Sequence, residues 1–416
     1  MNSTIHAATV LQIIPRLDTG GAELATLEIT EAVVRAGGRA FVLSEGGRLA
    51  GDIEGAGGHV FPFPAATKNP ARIVTNGFRL ARFVREHGVD IIHARSRAPA
   101  WSALMAAHLT GTPFITTYHG AYGNRGPLKP LYNSVMARGA RVIANSQFTG
   151  QLVHDRHGTP KERIRVIPRG VDLDRFNTAN VSPDRIASVR KDWGLGAGDK
   201  VVLQAARLTG WKGQHDVIEA AAQLCRSDVG KDAVFVMVGD AQGRDAYVDA
   251  LKRQISGHEL DGKVIIAGHC DDIAAAFAAA HVAVIASTEP EAFGRTSAEA
   301  QAMGCPVVVT RQGASPETLL TAARDGADRA TGWIVPVSAP KALANAIAEA
   351  LTLSARERRE MGTRARAHVA ELFSSENMKR ETLAVYDECL RSALVTAFDA
   401  AAMGDKNKRA PRITSP

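Results

Sequence analysis

Short, continuously apolar runs alternate with longer stretches of mixed polarity along most of the chain. Because successive rather than alternate positions are apolar, these runs are typical of parallel strands that are covered on both faces. The runs that predict strands lie at 9–14, 40–44, 59–63, 90–94, 113–119, 141–146, 164–168, 200–206, 233–239, 263–268, 281–287 and 306–310. The stretches that predict helices include 22–36, 71–87, 213–226 and 340–352. The alternation predicts an α/β protein built on doubly wound parallel sheets.

The pattern occurs twice, and 416 residues are too many for one compact core. We therefore expect two Rossmann-like domains that face a central cleft, the first at 1–180 and the second at 181–375. A helix at 376–400 is expected to pack back across the domain junction. The polar, proline-containing tail at 401–416 is expected to be disordered.

Composition indicates a cytoplasmic protein. No apolar run approaches the roughly 20 residues that cross a bilayer, and the first residues lack a basic segment followed by a small-residue cleavage site. The four cysteines are scattered, without a CxxC pair. This spacing argues against a disulfide framework and against a zinc site.

The excess of positive over negative charge is confined to the first half of the chain. Residues 1–185 hold 22 Lys and Arg against 14 Asp and Glu, a net charge of +8, whereas the remainder carries −1. This asymmetry indicates an anionic partner for the first half, either membrane phospholipid, a phosphorylated acceptor or nucleic acid. The alternative is a solvated, arginine-rich surface.

Candidate chemistry follows several of the predicted strands, where parallel sheets bind ligands. Gly20 and Gly21 open a helix after the first strand and would let backbone N–H groups approach a phosphate; a plain turn is the alternative. No GxGxxG follows a strand, and "GLGAGDK" (194–200) lacks the P-loop spacing. His119 ends another strand and would reach the cleft, unless it is a capping or core histidine.

Two cations and two carboxylates stand out in the second half. Arg207 and Lys212 flank a turn at the start of a helix. Two cations and a helix N-terminus together can bind a diphosphate. The alternative is that they are an exposed pair of surface residues. Glu291 and Glu299 flank Gly294, and paired carboxylates can bind the vicinal hydroxyls of a sugar and a ribose. For Glu299 the alternative is a capping box with Thr296.

In this order, "GGAE", "HG", Arg207 with Lys212, and Glu291-x7-Glu299 resemble the retaining glycosyltransferases of family 4. "ANSQFT" (144–149), "VIPRGVD" (166–172), "GASPETL" (313–319) and "TGWIVPV" (331–337) belong to the same resemblance. It implies a GT-B fold that holds a nucleotide-sugar donor mainly in the second domain. It also implies metal-independent hexosyl transfer without a cofactor, and the sequence has no His/Cys cluster to hold a metal.

The resemblance implies a role for each candidate residue. Arg207 and Lys212 would hold the donor diphosphate, Glu299 would bind the ribose, and Glu291 would lie beside the donor sugar. Backbone N–H groups at Phe293, Gly294 and Arg295 would reach the sugar hydroxyls, Gly20 and Gly21 would approach the phosphates, and His119 would contact the sugar. Arg295 is a departure, since many relatives have an apolar residue there. The resemblance implies that the acceptor attacks the donor sugar on the face from which the phosphate leaves. A covalent mechanism with Glu291 as the nucleophile is the alternative.

The expected acceptor is a lipid-linked glycan of lipopolysaccharide or another surface polymer, which would place the enzyme on the inner face of the cytoplasmic membrane. The residues proposed to contact acceptor or membrane are Arg125, Lys129, Arg138 and Arg141. Two alternatives remain at this point. One is another GT-B enzyme, such as a nucleotide-sugar epimerase or a phosphorylase. The other is a non-catalytic protein that binds membrane or nucleic acid.

Overall fold

The chain divides into two compact units in a computed structural model that describes residues 8–18, 20–123 and 129–409. The first unit combines Met1–Arg169 with Ser375–Pro416, and the second is Gly170–Ser374. The first unit is therefore discontinuous in sequence. No helix in the described part of the chain is long and apolar enough to cross a membrane.

Thirteen strands lie within the described ranges. They are β1 (Thr9–Ile13), β2 (Arg39–Ser44), β3 (His59–Pro62), β4 (Ile91–Ala94), β5 (Phe114–Tyr118), β6 (Arg141–Ala144), β7 (Ile164–Val166), β8 (Lys200–Ala205), β9 (Ala233–Val238), β10 (Val264–Gly268), β11 (Val282–Ile285), β12 (Val307–Thr310) and β13 (Gly332–Val335).

The α-helices of the same ranges number sixteen. They are α1 (Gly21–Arg35), α2 (Ala50–Gly55), α3 (Pro70–His87), α4 (Arg97–Thr110), α5 (Lys129–Ser134), α6 (Gln147–His157), α7 (Pro183–Asp192), α8 (Gln214–Leu224), α9 (Asp245–Gly257), α10 (Ile273–Ala279), α11 (Arg295–Ala302), α12 (Ala322–Asp325), α13 (Pro340–Thr352), α14 (Ala355–Leu372), α15 (Ser375–Leu390) and α16 (Leu394–Arg409).

Each unit is a doubly wound parallel sheet. The strand order is β3-β2-β1-β4-β5-β6-β7 in the first unit and β10-β9-β8-β11-β12-β13 in the second. Every strand pair is parallel. The order reverses beside β1 in one sheet and beside β8 in the other. Such switch points are where ligands bind in open parallel sheets. The predicted fold class is confirmed.

Both faces of each sheet are covered by apolar side chains, as the continuous apolar runs predicted. In the first unit, Val10, Ile91 and Ile115 of one face pack with residues of α1 and of the last two helices. In the second, apolar residues of α8 and α13 cover one face of the sheet. Because neither face meets water, these strands have no polar alternation for a sequence pattern to detect.

The chain returns to the first unit after its excursion through the second. Tyr386 of α15 is fully buried, and Leu394 and Phe398 of α16 join the same apolar cluster as Val10. The sequence analysis placed the domain boundary at 180/181, and the structure divides at 169/170 and again at 374/375. It also expected a disordered tail from 401, but α16 continues to Arg409 because its first turns are anchored in that cluster.

Candidate functional site

Adjacent strands of the second sheet place Lys212 and Glu291 together. β8 and β11 are neighbours, and both candidate residues lie in the loops that follow these strands. A short 3-10 turn, Gly210–Lys212, leads from β8 into α8. The carboxyl ends of parallel strands share one edge of a sheet, so two loops that are distant in sequence meet at this edge.

An ion pair joins the Nζ of Lys212 to the Oε1 of Glu291. Both side chains are mostly buried, with 15% and 14% of their surface exposed. The hydroxyl of Ser287 donates a hydrogen bond to the same carboxylate oxygen at 2.5 Å, and the ammonium lies 4.1 Å from the centroid of the Trp211 ring. The sequence analysis predicted both charges for the site but not that they would pair.

Two glycines allow the backbones around this ion pair to approach each other. Gly213 has φ 72°, and a Cβ atom there would lie 2.0 Å from the carbonyl oxygen of Ala286. Gly313 has φ 59°, and its Cβ would lie 2.4 Å from the carbonyl oxygen of Glu291. The N–H of Ala314 donates to that carbonyl at 2.9 Å. A side chain at either glycine would push the two loops apart.

Arg207 extends from the same edge with an exposed side chain. Its backbone carbonyl accepts a hydrogen bond from the Nε2 of the buried Gln214 at 3.0 Å, which fixes the loop against α8. Within the described residues, its guanidinium has no hydrogen bond or ion pair. An unneutralised cation at the start of a helix is suited to binding an anion.

The start of α11 presents backbone rather than side chains. Phe293 is buried and packs edge-on against Phe373, with ring centroids 5.3 Å apart. Gly294 precedes the helix with φ 98°, and a Cβ there would come within 3.3 Å of the Cα of Ser315. The first N–H groups of a helix have no partner within the helix. This end of α11 can therefore donate hydrogen bonds to a ligand.

Glu299 pairs with Arg295 one turn earlier in α11, with Nε and Oε1 3.0 Å apart. The capping-box alternative is wrong for this residue, because the N-cap is Gly294, which has no side chain to donate or accept a bond. Thr296 lies inside the helix. Arg295 thus holds the carboxylate predicted to bind a ribose.

Gly20 and Gly21 lie at the start of α1 in the first unit. Gly20 is the N-cap with extended backbone (φ 167°), and both glycines are exposed. A Cβ at Gly20 would meet the carboxylate of Glu23 at 2.4 Å, whereas one at Gly21 would meet nothing within 4 Å. The helix N-terminus is therefore open, with an acidic side chain beside it that a phosphate would have to displace.

His119 follows β5 and is held by Arg169. The Nδ1 of the ring accepts a hydrogen bond from a guanidinium nitrogen of Arg169, which places the ring proton on Nε2. That Nε2 is buried without a hydrogen bond of normal geometry in the described structure. Burial, the nearby cation of Arg169 and that of Arg95 lower the pKa of His119 well below its usual range. The residue is a neutral hydrogen-bond donor.

A second buried histidine lies in the same unit. His93 exchanges hydrogen bonds with the hydroxyls of Tyr386 and Thr117, both at 2.7 Å. Arg95, which is 2% exposed, donates to the side-chain oxygen of Gln12 at 2.8 Å and 2.5 Å. Burial and the charge of Arg95 lower the pKa of His93 well below its ordinary value.

The residues proposed to contact the acceptor or the membrane differ in exposure and in charge pairing. Arg125 lies outside the described residues. Lys129 is exposed at the start of α5, and the guanidinium of Arg138 lies 5.0 Å from the Trp101 ring. Arg141 pairs with Glu388 of α15 at 2.8 Å. Arg165 contacts the same carboxylate, which therefore balances only one of these two positive charges.

Ser287, Gly313, Arg169 and Trp211 support the candidate residues and were absent from the predicted site. Ser287 ends a strand-forming run, and Gly313 opens a stretch that the family resemblance already contained. At both positions the sequence therefore contained a feature that could have identified the residue as part of the site. Nothing in the spacing of Arg169 and His119 indicates their contact, because 50 residues separate them. No cluster of three or more His, Cys, Asp or Glu side chains that could hold a metal occurs in the described ranges.

Two doubly wound units with this strand order define the class of GT-B glycosyltransferases, and solved structures support that assignment. A glycosyltransferase from Rickettsia africae ESF-5 is 32% identical with a TM-score of 0.85, covering 93% of this chain and all of that one. Anabaena HepE, solved with UDP and glucose, is 25% identical with a TM-score of 0.76, covering 91% of this chain and 99% of HepE.

Sequence models identify the family. Residues 19–175 match Glycosyltransferase Family 4, and residues 186–368 match Glycosyl transferases group 1. The D-inositol 3-phosphate glycosyltransferase of Acidothermus cellulolyticus is 30% identical over 74% of this chain and 70% of the relative. The chain belongs to the family 4 glycosyltransferases. It spans 50% to 56% of the length of other curated relatives with that name.

Proposed function

We propose that the protein transfers a hexose from a nucleotide-sugar to a glycan acceptor with retention of anomeric configuration. The observation that carries this proposal is the convergence of Lys212, Glu291 and Arg207 at the switch point of the second sheet. HepE, a relative with the same fold, was solved with UDP and glucose. UDP-glucose is therefore the first donor to test.

Charge at this edge suits the departure of a nucleoside diphosphate. Breaking the anomeric C–O bond adds negative charge to the leaving phosphate, and Arg207 is an exposed cation in the loop between β8 and α8. Lys212 would exchange part of its contact with Glu291 for the phosphate. One cation at 4 Å contributes roughly 4 kcal/mol at an effective dielectric constant near 20. The two cations could therefore supply much of the catalysis without a metal.

Glu291 and the start of α11 would bind the donor sugar, and Glu299 the ribose. Glu291 accepts hydrogen bonds from both Lys212 and Ser287. A carboxylate stabilised in this way is a weak nucleophile, which favours front-face attack in which the leaving phosphate accepts the acceptor's proton. His119, neutral with a proton on Nε2, would donate a hydrogen bond to a sugar hydroxyl.

The acceptor is proposed to be a lipid-linked or phosphorylated glycan used in a surface polymer such as lipopolysaccharide. The net charge of +8 over residues 1–185 supports an anionic acceptor for the first unit. The related enzymes named for inositol 3-phosphate also act on a phosphorylated compound, as their name states. A phosphate on the acceptor would be attracted by the same field as a lipid headgroup.

The proposal can be tested by ligand-detected NMR with UDP-, GDP- and ADP-sugars. One donor should bind the wild-type protein and be lost in both Lys212→Ala and Glu299→Ala. Lys252→Ala, which removes an exposed lysine from α9 of the same unit, is the matched control and should bind as the wild type does. Absence of binding by any donor, or binding that survives both site variants, would show that the proposed donor site is wrong.

A further inference from the structure

An apolar and basic surface is exposed on α3 of the first unit. Val74 and Phe78 have 48% and 58% of their surface exposed. Both lie on the side of the helix away from α4, against which the opposite side packs. Leu109, at the end of α4, is 42% exposed, and its carbonyl accepts a hydrogen bond from Arg85 at 2.7 Å. Leu109 therefore lies beside Arg85, one of the exposed residues of α3.

Arginines surround these apolar side chains. Arg72, Arg79, Arg82 and Arg85 of α3 are all exposed. Positions 74, 78, 82 and 85 recur at helical spacing, so two apolar and two basic side chains form one stripe. Glu86 is the acidic residue of this helix and pairs with Arg82 at 2.6 Å. The helix therefore presents a net charge of +3 beside its apolar stripe.

The helix is built to keep this face outward. Asn69 caps it by accepting a hydrogen bond from the N–H of Arg72 at 3.2 Å, with Pro70 in the first turn, and Gly88 ends it in the left-handed conformation. The opposite face packs so closely on α4 that a Cβ at Gly77 would lie 2.4 Å from the sulfur of Met105. Eighteen residues are thus held rigidly with Phe78 near their centre.

We propose that this α3 surface, formed by Arg72, Val74, Phe78, Arg79, Arg82 and Leu109, docks the protein on a bilayer that contains anionic phospholipid. Phe78, Val74 and Leu109 would enter the headgroup region, and the arginines would reach the phosphates while their methylene stems cover apolar surface. The inference deepens the proposed function, since it rests on an acceptor that is carried by lipid.

The charge and the small apolar area of the α3 surface favour a membrane over a protein as its partner. A stable protein interface buries about 800 Å² on each side around a central apolar cluster. Three apolar side chains among three arginines offer too little apolar area for that, whereas basic residues with a few aromatic or aliphatic side chains are typical of helices at a membrane surface. The surface differs from segment 125–141 of the sequence analysis, in which Arg141 is paired with Glu388.

The test is co-sedimentation of the full chain with sucrose-loaded vesicles, made from phosphatidylcholine alone or from equal parts of phosphatidylcholine and phosphatidylglycerol. Neither donor nor acceptor is present, so the result does not depend on transferase activity. Wild-type protein should partition onto the anionic vesicles at least tenfold more strongly than onto the neutral ones, and high salt should weaken this binding.

Two sets of variants identify the surface. Arg72→Gln with Arg79→Gln and Arg82→Gln removes charge, and Val74→Ser with Phe78→Ser removes apolar contact. Each set should reduce binding at least tenfold. The matched controls in the second unit are Arg226→Gln with Arg356→Gln and Arg359→Gln, and Leu372→Ser, which alter comparably exposed side chains. Arg356 has an ion pair with Glu360 of the same spacing as that between Arg82 and Glu86.

Each outcome decides the question. Loss of binding in both α3 sets with the controls unchanged supports the proposal. Failure of the wild type to bind, equal binding to both kinds of vesicle, or unchanged binding by the α3 variants would overturn it. A protein that binds a donor but no vesicle would retain the proposed transferase function and lose the proposed membrane contact.

Discussion

The candidate residues of the two units hold their charges in different ways. In the second unit, each candidate cation in contact with a carboxylate is neutralised by it, as in Lys212 with Glu291 and Arg295 with Glu299. In the first unit, Arg95 and Arg169 lie beside two histidines, and burial with the neighbouring positive charge keeps those histidines neutral. At the candidate site of the second unit opposite charges are paired, whereas the two histidines of the first unit stay uncharged beside cations.

This difference suits different tasks. A paired cation can shift part of its interaction from a carboxylate to an incoming phosphate without creating an isolated charge. A neutral histidine with a fixed tautomer is a directional donor whose behaviour is constant over the physiological pH range. We therefore expect the second unit to respond strongly to the loss of a charge, and the histidines of the first unit to lower its stability only in acid.

The largest expected effect is that of Lys212→Ala. Removing a cation worth roughly 4 kcal/mol to the leaving phosphate should lower kcat/KM by about 10³-fold. The measurement is release of nucleoside diphosphate from the donor identified by NMR. Activity within threefold of wild type would show that Lys212 does not stabilise the leaving group.

A double variant separates chemistry from folding. Lys212→Ala leaves Glu291 mostly buried without its cation, and we expect a loss of about 1–3 kcal/mol in the free energy of unfolding. Lys212→Ala with Glu291→Ala should recover most of that stability but none of the activity. Recovery of both would mean that the single variant was inactive because it was misfolded.

Gly313→Ala tests the backbone that holds the ion pair. A Cβ at φ 59° would press on the backbone nitrogen and oxygen of Glu291, at 2.5 Å and 2.4 Å. We expect the free energy of unfolding to fall by about 1–3 kcal/mol, measured by urea denaturation. Gly257→Ala, at an exposed helix end with open space around it, is the control and should be neutral. Equal stability of the two variants would contradict the steric argument.

Acid should destabilise the first unit through its histidines. His93 and His119 have lowered pKa values when folded, so below pH 6.5 the unfolded chain binds protons that the folded chain does not. Stability is then lost as pH falls below 6.5, by up to about 1.4 kcal/mol per pH unit for each histidine. Hydrogen exchange of β4 and β5 peptides between pH 7.5 and pH 5 would measure this loss.

Arg169→Gln should sharpen that result by removing one cause of the shift. The pKa of His119 should rise toward its ordinary value, and its pH-dependent loss of stability should shrink. Arg141→Gln, which removes the partner of Glu388, is the control and should leave the ring unaffected. A histidine NMR titration that shows His119 charged at pH 6 in the wild type would refute the neutral tautomer.

The smallest expected effect is that of Arg295→Leu, which removes the partner of Glu299. Ion pairs that are partly exposed contribute about 0–1 kcal/mol, so the preference for a ribonucleotide over its 2′-deoxy analogue should fall by no more than about fivefold. Isothermal titration would measure both affinities. Arg356→Leu breaks an exposed ion pair of the same spacing and should not change the preference.

The sequence predicted the fold well because parallel strands have a strong local signal. Each of the twelve predicted strands is present, and α3 and α13 begin within one residue of the prediction. β13 was missed, since "GWIV" is short and begins with glycine, a residue that is rare in strands. A helix at 376–400 was expected to pack back across the domain junction, but its partners in the first unit could not be named, because they are hundreds of residues away in sequence.

The candidate residues were predictable, but their interactions were not. Glu291 and Lys212 were found from spacing and family resemblance, whereas their pairing across 79 residues depends on which strands are neighbours. The capping-box motif at Thr296 fitted Glu299 by spacing, yet helix α11 begins two residues too early for it. That start depends on the positive φ of Gly294, which residue types do not specify on their own.

The discontinuous first unit has a consequence for the order of synthesis. The ribosome synthesises β1 to β7 of this unit before any part of the second unit. Helices α15 and α16, which carry the buried Tyr386 and Phe398, are synthesised last. Until then, apolar residues such as Ile91 and Ile115 cannot pack against α15 and α16, and His93 cannot form its hydrogen bond with Tyr386. The unit that begins folding first is therefore the last to finish, and a chain that stops at residue 374 would expose an aggregation-prone surface.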